Sequence, residues 1–317
     1  MTSVASVPSA VTVRVPAKVN LQLAVGPVRP DGYHGVVTVY QAVSLYDEVS
    51  VALAERSRIV VSGEDEAAVP TGPTNLASKA VTALARATGQ RRQDRHPVLI
   101  EIRKRIPMAA GLAGGSADAA ATLAACNELW KTGLTQQELC EVGAGLGSDV
   151  PFALMGGTAV GRGRGEQLTV ALVSGGYHWV LAFAVSGLST PEVYATCDRL
   201  RAARGDAVAE PELSGPLMSA LRSGDAAAVG PLLSNDLQAA AVSLRPELRR
   251  ALTAGRDLGA VGAMVSGSGP TCMFLAGSAA QASDLAVSLT GAGVCRAVAL
   301  ASGPAPGAAV VPVREPA

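Results

Sequence analysis

Residues 107–120 read Pro-Met-Ala-Ala-Gly-Leu-Ala-Gly-Gly-Ser-Ala-Asp-Ala-Ala, a glycine-rich loop running straight into a series of helix formers. Gly111, Gly114 and Gly115 let the backbone turn sharply and expose its N–H groups with no Cβ in the way. Ser116 is placed to cap a helix running to about Trp130, built on Ala119, Ala120, Leu123, Ala124 and Leu129. The unpaired donors and partial positive charge of a helix start make such a loop a cradle for phosphate. No Gly-Lys-Ser/Thr follows, so it is not a P-loop; the dinucleotide-binding fingerprint, with its own spacing and downstream acid, does not fit either. On these residues alone an ordinary capped turn accounts for the pattern as well as a phosphate site does.

A chain of 317 residues exceeds what one hydrophobic core usually supports, so two domains are expected. The 49% hydrophobic content supplies sizeable cores, and with aromatics at only 3% those cores must be packed from Ala, Val and Leu. Twenty-six basic residues balance 26 acidic ones, which removes any long-range pull toward nucleic acid or an anionic membrane. An anionic ligand must therefore be held by local donors. Lys18, Lys79, Lys104 and Lys131 are the only lysines in an arginine-rich chain; Lys79 and Lys131 read as helix-surface residues. The cysteines, Cys126, Cys140, Cys197, Cys272 and Cys295, are odd in number and widely spaced, which indicates neither a zinc site nor a disulfide framework. Met1–Ala10 lacks the basic and apolar regions of a signal peptide, and apolar runs such as 179–185 fall short of a membrane span. The expectation is a soluble, cytoplasmic protein without a protein-held metal.

Along the first half, 11–15, 21–25, 36–43, 48–53 and 58–62 have the β-branched or alternating character of strands. Thr74 or Asn75 is expected to cap a helix through Ala87, Gln90–His96 forms a charged connection, and 98–102 returns as a strand. The glycine loop and its helix follow, then a second helix over 135–146. Strands at 158–160 and 168–173 flank a Gly/Arg turn, which sets the expected boundary between domains 1–163 and 164–317. Beyond it come a strand at 180–185, helices at 191–203, 213–222 and 246–257, and a β-turn-β-α-β ending over 260–300. Residues after Gly303 are rich in Pro, Ala and Gly and read as a frayed tail.

Five segments in order carry a family resemblance. Pro107-x-x-x-Gly111-Leu112-x-Gly114-Gly115-Ser116 closely resembles the ATP loop of the GHMP kinases, the superfamily of galactokinase and of homoserine, mevalonate and phosphomevalonate kinases. Pro16-Ala17-Lys18-Val19-Asn20-Leu21 and Arg29-Pro30-Asp31-Gly32-Tyr33-His34 are similar to the branch that phosphorylates a cytidine-diphosphate-linked sugar alcohol in the non-mevalonate isoprenoid pathway. Gly147-Ser148-Asp149-Val150-Pro151-Phe152 and Ser266-Gly267-Ser268-Gly269-Pro270-Thr271 complete the set, and the resemblance runs from about Val11 to about Leu300. It implies an α+β, two-domain GHMP kinase fold, with an S5-like N-terminal domain, a ferredoxin-like C-terminal domain and the site between them. It also implies ATP, with Mg²⁺ as the nucleotide counter-ion, and phosphorylation of a 2-hydroxyl on a small cytidine diphosphate substrate. Another GHMP-type alcohol kinase, or a non-catalytic sensor on the same fold, are the alternatives.

Phosphoryl transfer needs an in-line hydroxyl, neutralised charge and a proton acceptor. Asp149, close before Pro151 on a loop expected to be extended, is a simple turn residue on its own; the resemblance implies that it is the catalytic Asp. Lys18, otherwise a solvated lysine on a first strand, is implied as its partner. The same resemblance assigns Pro107, Met108, Ala109, Ala110, Gly111, Leu112, Ala113, Gly114, Gly115, Ser116 and Ala117 to the ATP phosphates, and Asn75, Leu76 and Lys104 to positions near the adenosine. It assigns Asn20, Tyr33, His34, Thr190 and Tyr194 to the acceptor substrate, with His34 on the polar edge of cytosine and Tyr194 stacked on the ring. Gly267, Ser268 and Gly269 are implied beside the acceptor and the transferred phosphate. Two features depart from the common pattern. Ala110 and Ala113 replace glycines frequent in the family, and Asp118 opposes a phosphate unless it points away or meets a cation.

Overall fold

A computed structural model describes residues 10–89 and 97–312. Four of the expected strands fuse into two long ones, β1 (Ala10–Val28) and β2 (His34–Leu53), paired antiparallel across a tight turn at 29–33. The pairing shifts register between Pro16/Ala17, Asn20/Gln22 and Val25/Val28, and these irregularities are what the sequence shows as breaks. A bulge re-aims the side chains beside it. The first two bracket Lys18 and Asn20, on a stretch buried without interruption from Val15 to Leu23. That burial on both faces means something covers each side of β1. Its buried side chains join a core that draws on both halves of the chain, and Ser234 and Asn235 of the second half pair beside it at Gln22 and Leu23.

The first sheet continues with β3 (Arg58–Gly63), then α1 (Leu76–Ala87) capped by Asn75, then β4 (Val98–Lys104), parallel to β3 and antiparallel to β2. The connection expected at 90–96 lies outside the described residues. Next comes α2 (Gly114–Leu129), whose buried residues include Ala117, Ala120, Leu123 and Cys126, spread around the whole helix. A helix that is apolar all round is a central one; α2 packs on β1, β2 and α1. Thr135 caps α3 (Gln136–Ala144) through a capping box with Glu138, and Asp149 precedes the short α4 (Val150–Met155). The hairpin of β5 (Thr158–Arg162) and β6 (Gln167–Val170) adds to the edge of β2. The turn at 163–166 therefore lies within the first sheet, and the chain leaves that sheet between Val170 and Tyr177.

The second half opens with β7 (Tyr177–Phe183) and α5 (Thr190–Arg204), followed by α6 (Gly215–Ser223) and α7 (Ala226–Val229). Then come β8 (Ser234–Asn235), α8 (Gln238–Leu244), α9 (Glu247–Asp257), β9 (Gly262–Val265), β10 (Cys272–Ala276), α10 (Ala279–Gly291) and β11 (Ala297–Gly303). The sheet order β11-β7-β10-β9, antiparallel throughout, is the ferredoxin-like arrangement. Two segments tie this half to the first. β8 lies parallel to β1 at Gln22 and Leu23, and the C-terminal stretch returns as β12 (Ala309–Val310) against Val13 and Arg14. The expected frayed tail is thus corrected: Ala305 is buried and its N–H donates to Ala42 O, so 304–310 is a packed strap. Pro and Ala suit an extended segment held mainly by its backbone and small side chains.

Candidate active site

A cavity of about 750 Å³ opens where the glycine loop, β1, the 29–34 turn, α5 and the Ser266–Pro270 turn converge. The loop itself differs in detail from the sequence reading. The left-handed residues are Ala109, Gly111 and Ala113, at φ 48, 76 and 60, whereas Gly114 and Gly115 are already helical. Ala113 is the N-cap and Ser116 the third helical residue, so Ser116 lines the cavity instead of capping. Two alanines in left-handed backbone carry strain of order 1–3 kcal/mol each, a cost that persists where the surroundings fix the conformation. Gly111 is fixed by the other half of the molecule: its carbonyl accepts from Ser266 Oγ at 3.1 Å. Gly114 is needed for close approach, since a Cβ there would lie 3.1 Å from both Ile106 Cγ2 and Lys104 Nζ.

Lys104 is the main correction. Its side chain is fully buried below the loop, ion-paired with Asp47 and, at 2.8 Å, with Asp118, and it does not line the cavity. A single lysine flanked by two buried carboxylates has no freedom to reach a nucleotide. Asp47 Oδ1 also accepts from the N–H groups of Arg105 and Ile106. The triad thus ties β2 to the β4–loop junction and to the first turn of α2. It also answers the Asp118 question: that carboxylate meets a cation. Burial first, then Asp47, pushes the Asp118 carboxyl upward against the pull of Lys104. Burial lowers Lys104, but the two carboxylates outweigh it and hold the ammonium above the ordinary lysine value.

Other expected ATP residues also serve the framework. Leu112 and Ala117 face the core, with Leu112 O accepting from Lys18 N–H at 3.2 Å. Asn75 spends its side chain capping α1, accepting from Ala77 N–H and donating to Pro70 O, while its neighbour Leu76 does line the cavity. Pro107 and Met108 border a smaller cavity of about 350 Å³ on the far side of the loop. Ala109, Ala110, Gly111, Ala113, Gly114, Gly115 and Ser116 face the main one. Gly269 does not line it; its N–H donates to Ser266 O, closing the turn that presents Gly267 and Ser268.

Lys18 and Asp149 meet across the loop, Nζ to Oδ2 at 4.0 Å. Each is held by a second group. Lys18 Nζ donates to Asn20 Oδ1 at 2.7 Å, and Asn20 Nδ2 donates in turn to Thr38 Oγ1 at 2.8 Å. Tyr40 Oη donates to Asp149 Oδ1 at 3.0 Å, with its ring stacked on Phe152 at 4.9 Å. Burial lowers the Lys18 ammonium, opposed by the Asp149 charge. Burial and Asp149 together push the Tyr40 phenol far up, so it stays a donor. Asp149 is not extended as expected: it sits at φ −86, ψ −10, because the residue directly before Pro151 is Val150 and the proline is accommodated in the first turn of α4. One carboxylate oxygen is occupied by tyrosine, and the other faces an ammonium and the cavity. The pair is placed to accept a hydroxyl proton and to neutralise charge developing next to a phosphate cradle.

At the opposite end His34 and Tyr194 pack with ring centroids 5.0 Å apart, and Thr190 and Ser268 share a hydrogen bond of 2.9 Å. Tyr33 is largely exposed at the rim, with the Arg164 guanidinium 5.1 Å above its ring. Sequence reading missed Tyr40, Asp47, Arg164 and Asp198. Asp198 accepts or shares a hydrogen bond with His34 Nε2 at 3.0 Å; it follows Thr190 and Tyr194 at four-residue spacing, so the helical period of α5 could have pointed to it. Tyr40 and Asp47 gave no such signal, since their partners are more than fifty residues away.

Fold and site together define a small-molecule kinase of two joined halves. Residues 75–157 match the family model of the GHMP kinases N terminal domain, and 217–295 that of the GHMP kinases C terminal domain. A 4-diphosphocytidyl-2-C-methyl-D-erythritol kinase of Nocardia farcinica (strain IFM 10152) is 56% identical over 308 residues, covering 96% of this chain and 97% of the relative. The protein of that name from Thermobifida fusca (strain YX) is 54% identical over 316 residues, covering 96% and 99%. A crystal structure of 4-(cytidine 5'-diphospho)-2C-methyl-D-erythritol kinase superposes with a TM-score of 0.73 at 32% identity, covering 92% of this chain and 98% of that one. Homoserine kinase from Cytophaga hutchinsonii ATCC 33406 reaches the same TM-score of 0.73 at 18% identity, a likeness of fold alone. The chain belongs to the GHMP kinase family, in the branch of the 4-diphosphocytidyl-2-C-methyl-D-erythritol kinases.

Proposed function

We propose that this chain transfers the γ-phosphoryl group of ATP to the 2-hydroxyl of 4-diphosphocytidyl-2-C-methyl-D-erythritol, a step of the non-mevalonate isoprenoid pathway. The observation that carries the reading is the Lys18–Asp149 pair, 4.0 Å apart, lying between the glycine loop and the His34–Tyr194 end of one cavity. Nucleotide phosphates rest on the loop and the start of α2, where free N–H groups and the helix dipole favour anions. The acceptor's base lies toward His34 and Tyr194, with its diphosphate and alcohol running back past Ser268 and Gly267. Asp149 Oδ2 takes the hydroxyl proton as the oxygen–phosphorus bond forms and the bond to the β-phosphate oxygen breaks, releasing ADP. Lys18 steadies the charge shared between attacking oxygen and phosphoryl group.

Mg²⁺ would arrive with the nucleotide. Ser116, which lines the cavity at the start of α2, is the residue whose hydroxyl would reach an ion carried in by the phosphates. When bound, it would neutralise phosphate charge. The half that carries the first sheet, through Val170, would hold the nucleotide, and the half from Tyr177 would complete the acceptor site. No helix among the described residues is long and apolar enough to cross a membrane. The reading is tested by offering the protein radiolabelled ATP with the cytidyl substrate, homoserine and mevalonate in parallel. Label should pass to the cytidyl compound alone; equal transfer to homoserine or mevalonate would refute the substrate assignment.

A further inference from the structure

We propose that Asp198 fixes the tautomer of His34 and so makes the base end of the cavity select an amino group over a carbonyl oxygen. The inference rests on the substrate reading above and deepens it. A carboxylate offers only acceptors, so a 3.0 Å hydrogen bond between His34 Nε2 and Asp198 Oδ1 places the hydrogen on Nε2. In the neutral ring, Nδ1 is then an acceptor. Nδ1 has no hydrogen-bond partner among the described residues and is not among the buried, unpartnered atoms, so it is open to the cavity that His34 lines.

The arrangement is fixed from three sides. Only 8% of the His34 side chain is exposed, and Tyr194 covers the ring at 5.0 Å with a tilt of 36°. The Asp198 hydrogen bond and this packing hold the ring with Nε2 toward α5. Asp198 has no competing cation among the described residues: Arg199 bonds Thr196 and Arg201 bonds Asp236. Thr190, Tyr194 and Asp198, four residues apart on α5, put the ring-packing group and the tautomer-setting group on one helix face.

An acceptor at Nδ1 pairs with the exocyclic amino group of cytosine. Uracil presents a carbonyl oxygen at that position, leaving two acceptors face to face. Stacking on Tyr194 tolerates any base, so the hydrogen bond carries the discrimination, and sites of this kind reject an analogue with the wrong group strongly. Asp198 lines the cavity beside His34, with Oδ1 engaged by His34 Nε2, and acts through that ring as a positioning residue. A side chain that merely linked β2 to α5 would affect all bases alike.

Two measurements decide the matter. In the intact protein labelled with ¹⁵N-histidine at about pH 8, where an ordinary imidazole is neutral, the His34 ring should show Nε2 protonated and Nδ1 bare. His34→Gln assigns the signals. A hydrogen on Nδ1 overturns the proposal, and this result needs no folded variant at position 198. Binding of CDP and UDP is then compared in wild type and Asp198→Asn, whose amide supports either tautomer. The wild type should bind UDP at least about tenfold more weakly than CDP, and the variant should bring the two within roughly threefold of each other. Equal loss for both with the ratio preserved, or equal wild-type affinities, overturns the selection. A preserved CDP preference with no transfer to the cytidyl alcohol would instead count against the reaction reading alone.

Discussion

Gly111→Ala isolates the contact through which the two halves of the molecule share the site. Gly111 sits at φ 76, and a Cβ there would fall well inside van der Waals contact with the Ser266 carbonyl oxygen and 2.8 Å from Gly269 N. Left-handed backbone costs a non-glycine residue roughly 1–2 kcal/mol, and overpacking against backbone adds about 1–3 kcal/mol. The expected loss of about 2–5 kcal/mol lowers Tm by on the order of 3–8 °C for a chain of this size. Relief of the overlap moves the loop and the Ser266–Gly269 turn apart by about 1 Å, a displacement that can cost on the order of a hundredfold in rate. Gly115→Ala is the matched control. That residue is helical, and its Cβ would meet nothing nearer than Leu76 Cδ1 at 3.8 Å. Its Tm should hold or rise slightly, since alanine is favoured over glycine in a helix by roughly 0.5–1 kcal/mol, while the new methyl group narrows the nucleotide side of the cavity. Thermal melts and steady-state kinetics with each substrate varied separate the two. Gly111→Ala should harm both substrates and stability, Gly115→Ala chiefly the nucleotide. If Gly111→Ala melts like wild type and keeps kcat/KM within about threefold, the two turns do not interlock and the argument fails.

Three further outcomes follow from the same geometry. Tyr40→Phe removes the 3.0 Å hydrogen bond to Asp149 while keeping the ring on Phe152; kcat should fall by roughly ten- to a hundredfold, in line with about 1.5–3 kcal/mol for a bond to a charged group, with little change in nucleotide KM. Burial lowers the Lys18 ammonium, so the alkaline fall in kcat/KM should come at lower pH than an ordinary lysine allows, and Lys18→Arg should shift that limb upward in a pH–rate profile. The Asp118 carboxyl is raised to about 7, mainly by burial, so the folded state holds that proton more tightly than the unfolded chain does. Stability should therefore fall as pH rises from about 4 to about 7 and level off above that, and Asp118→Asn should flatten that decline; parallel Tm–pH curves for the two proteins would exclude the assignment.

The sequence by itself determined what is local or carried in short motifs. The glycine loop before a helix, the longer helices and the ordered family segments were legible, because each rests on residues a few positions apart or on a resemblance spanning 11–300; the short α4, α7 and α8 were not. Tertiary structure decided the rest. The separate strands of 11–25 and 36–53 became two long ones because their pairing, bulges included, depends on a partner strand. Lys104 left the nucleotide for Asp47 and Asp118 because a buried cation must find carboxylates, and Asp47 lies fifty-seven residues away. The C-terminal strap acquired order from β1 and β2, which are close in space and remote in sequence. Which glycine of the loop must be a glycine was settled the same way. Gly111 turns left-handed against a carbonyl 155 residues further along the chain, a contact that no window of sequence contains.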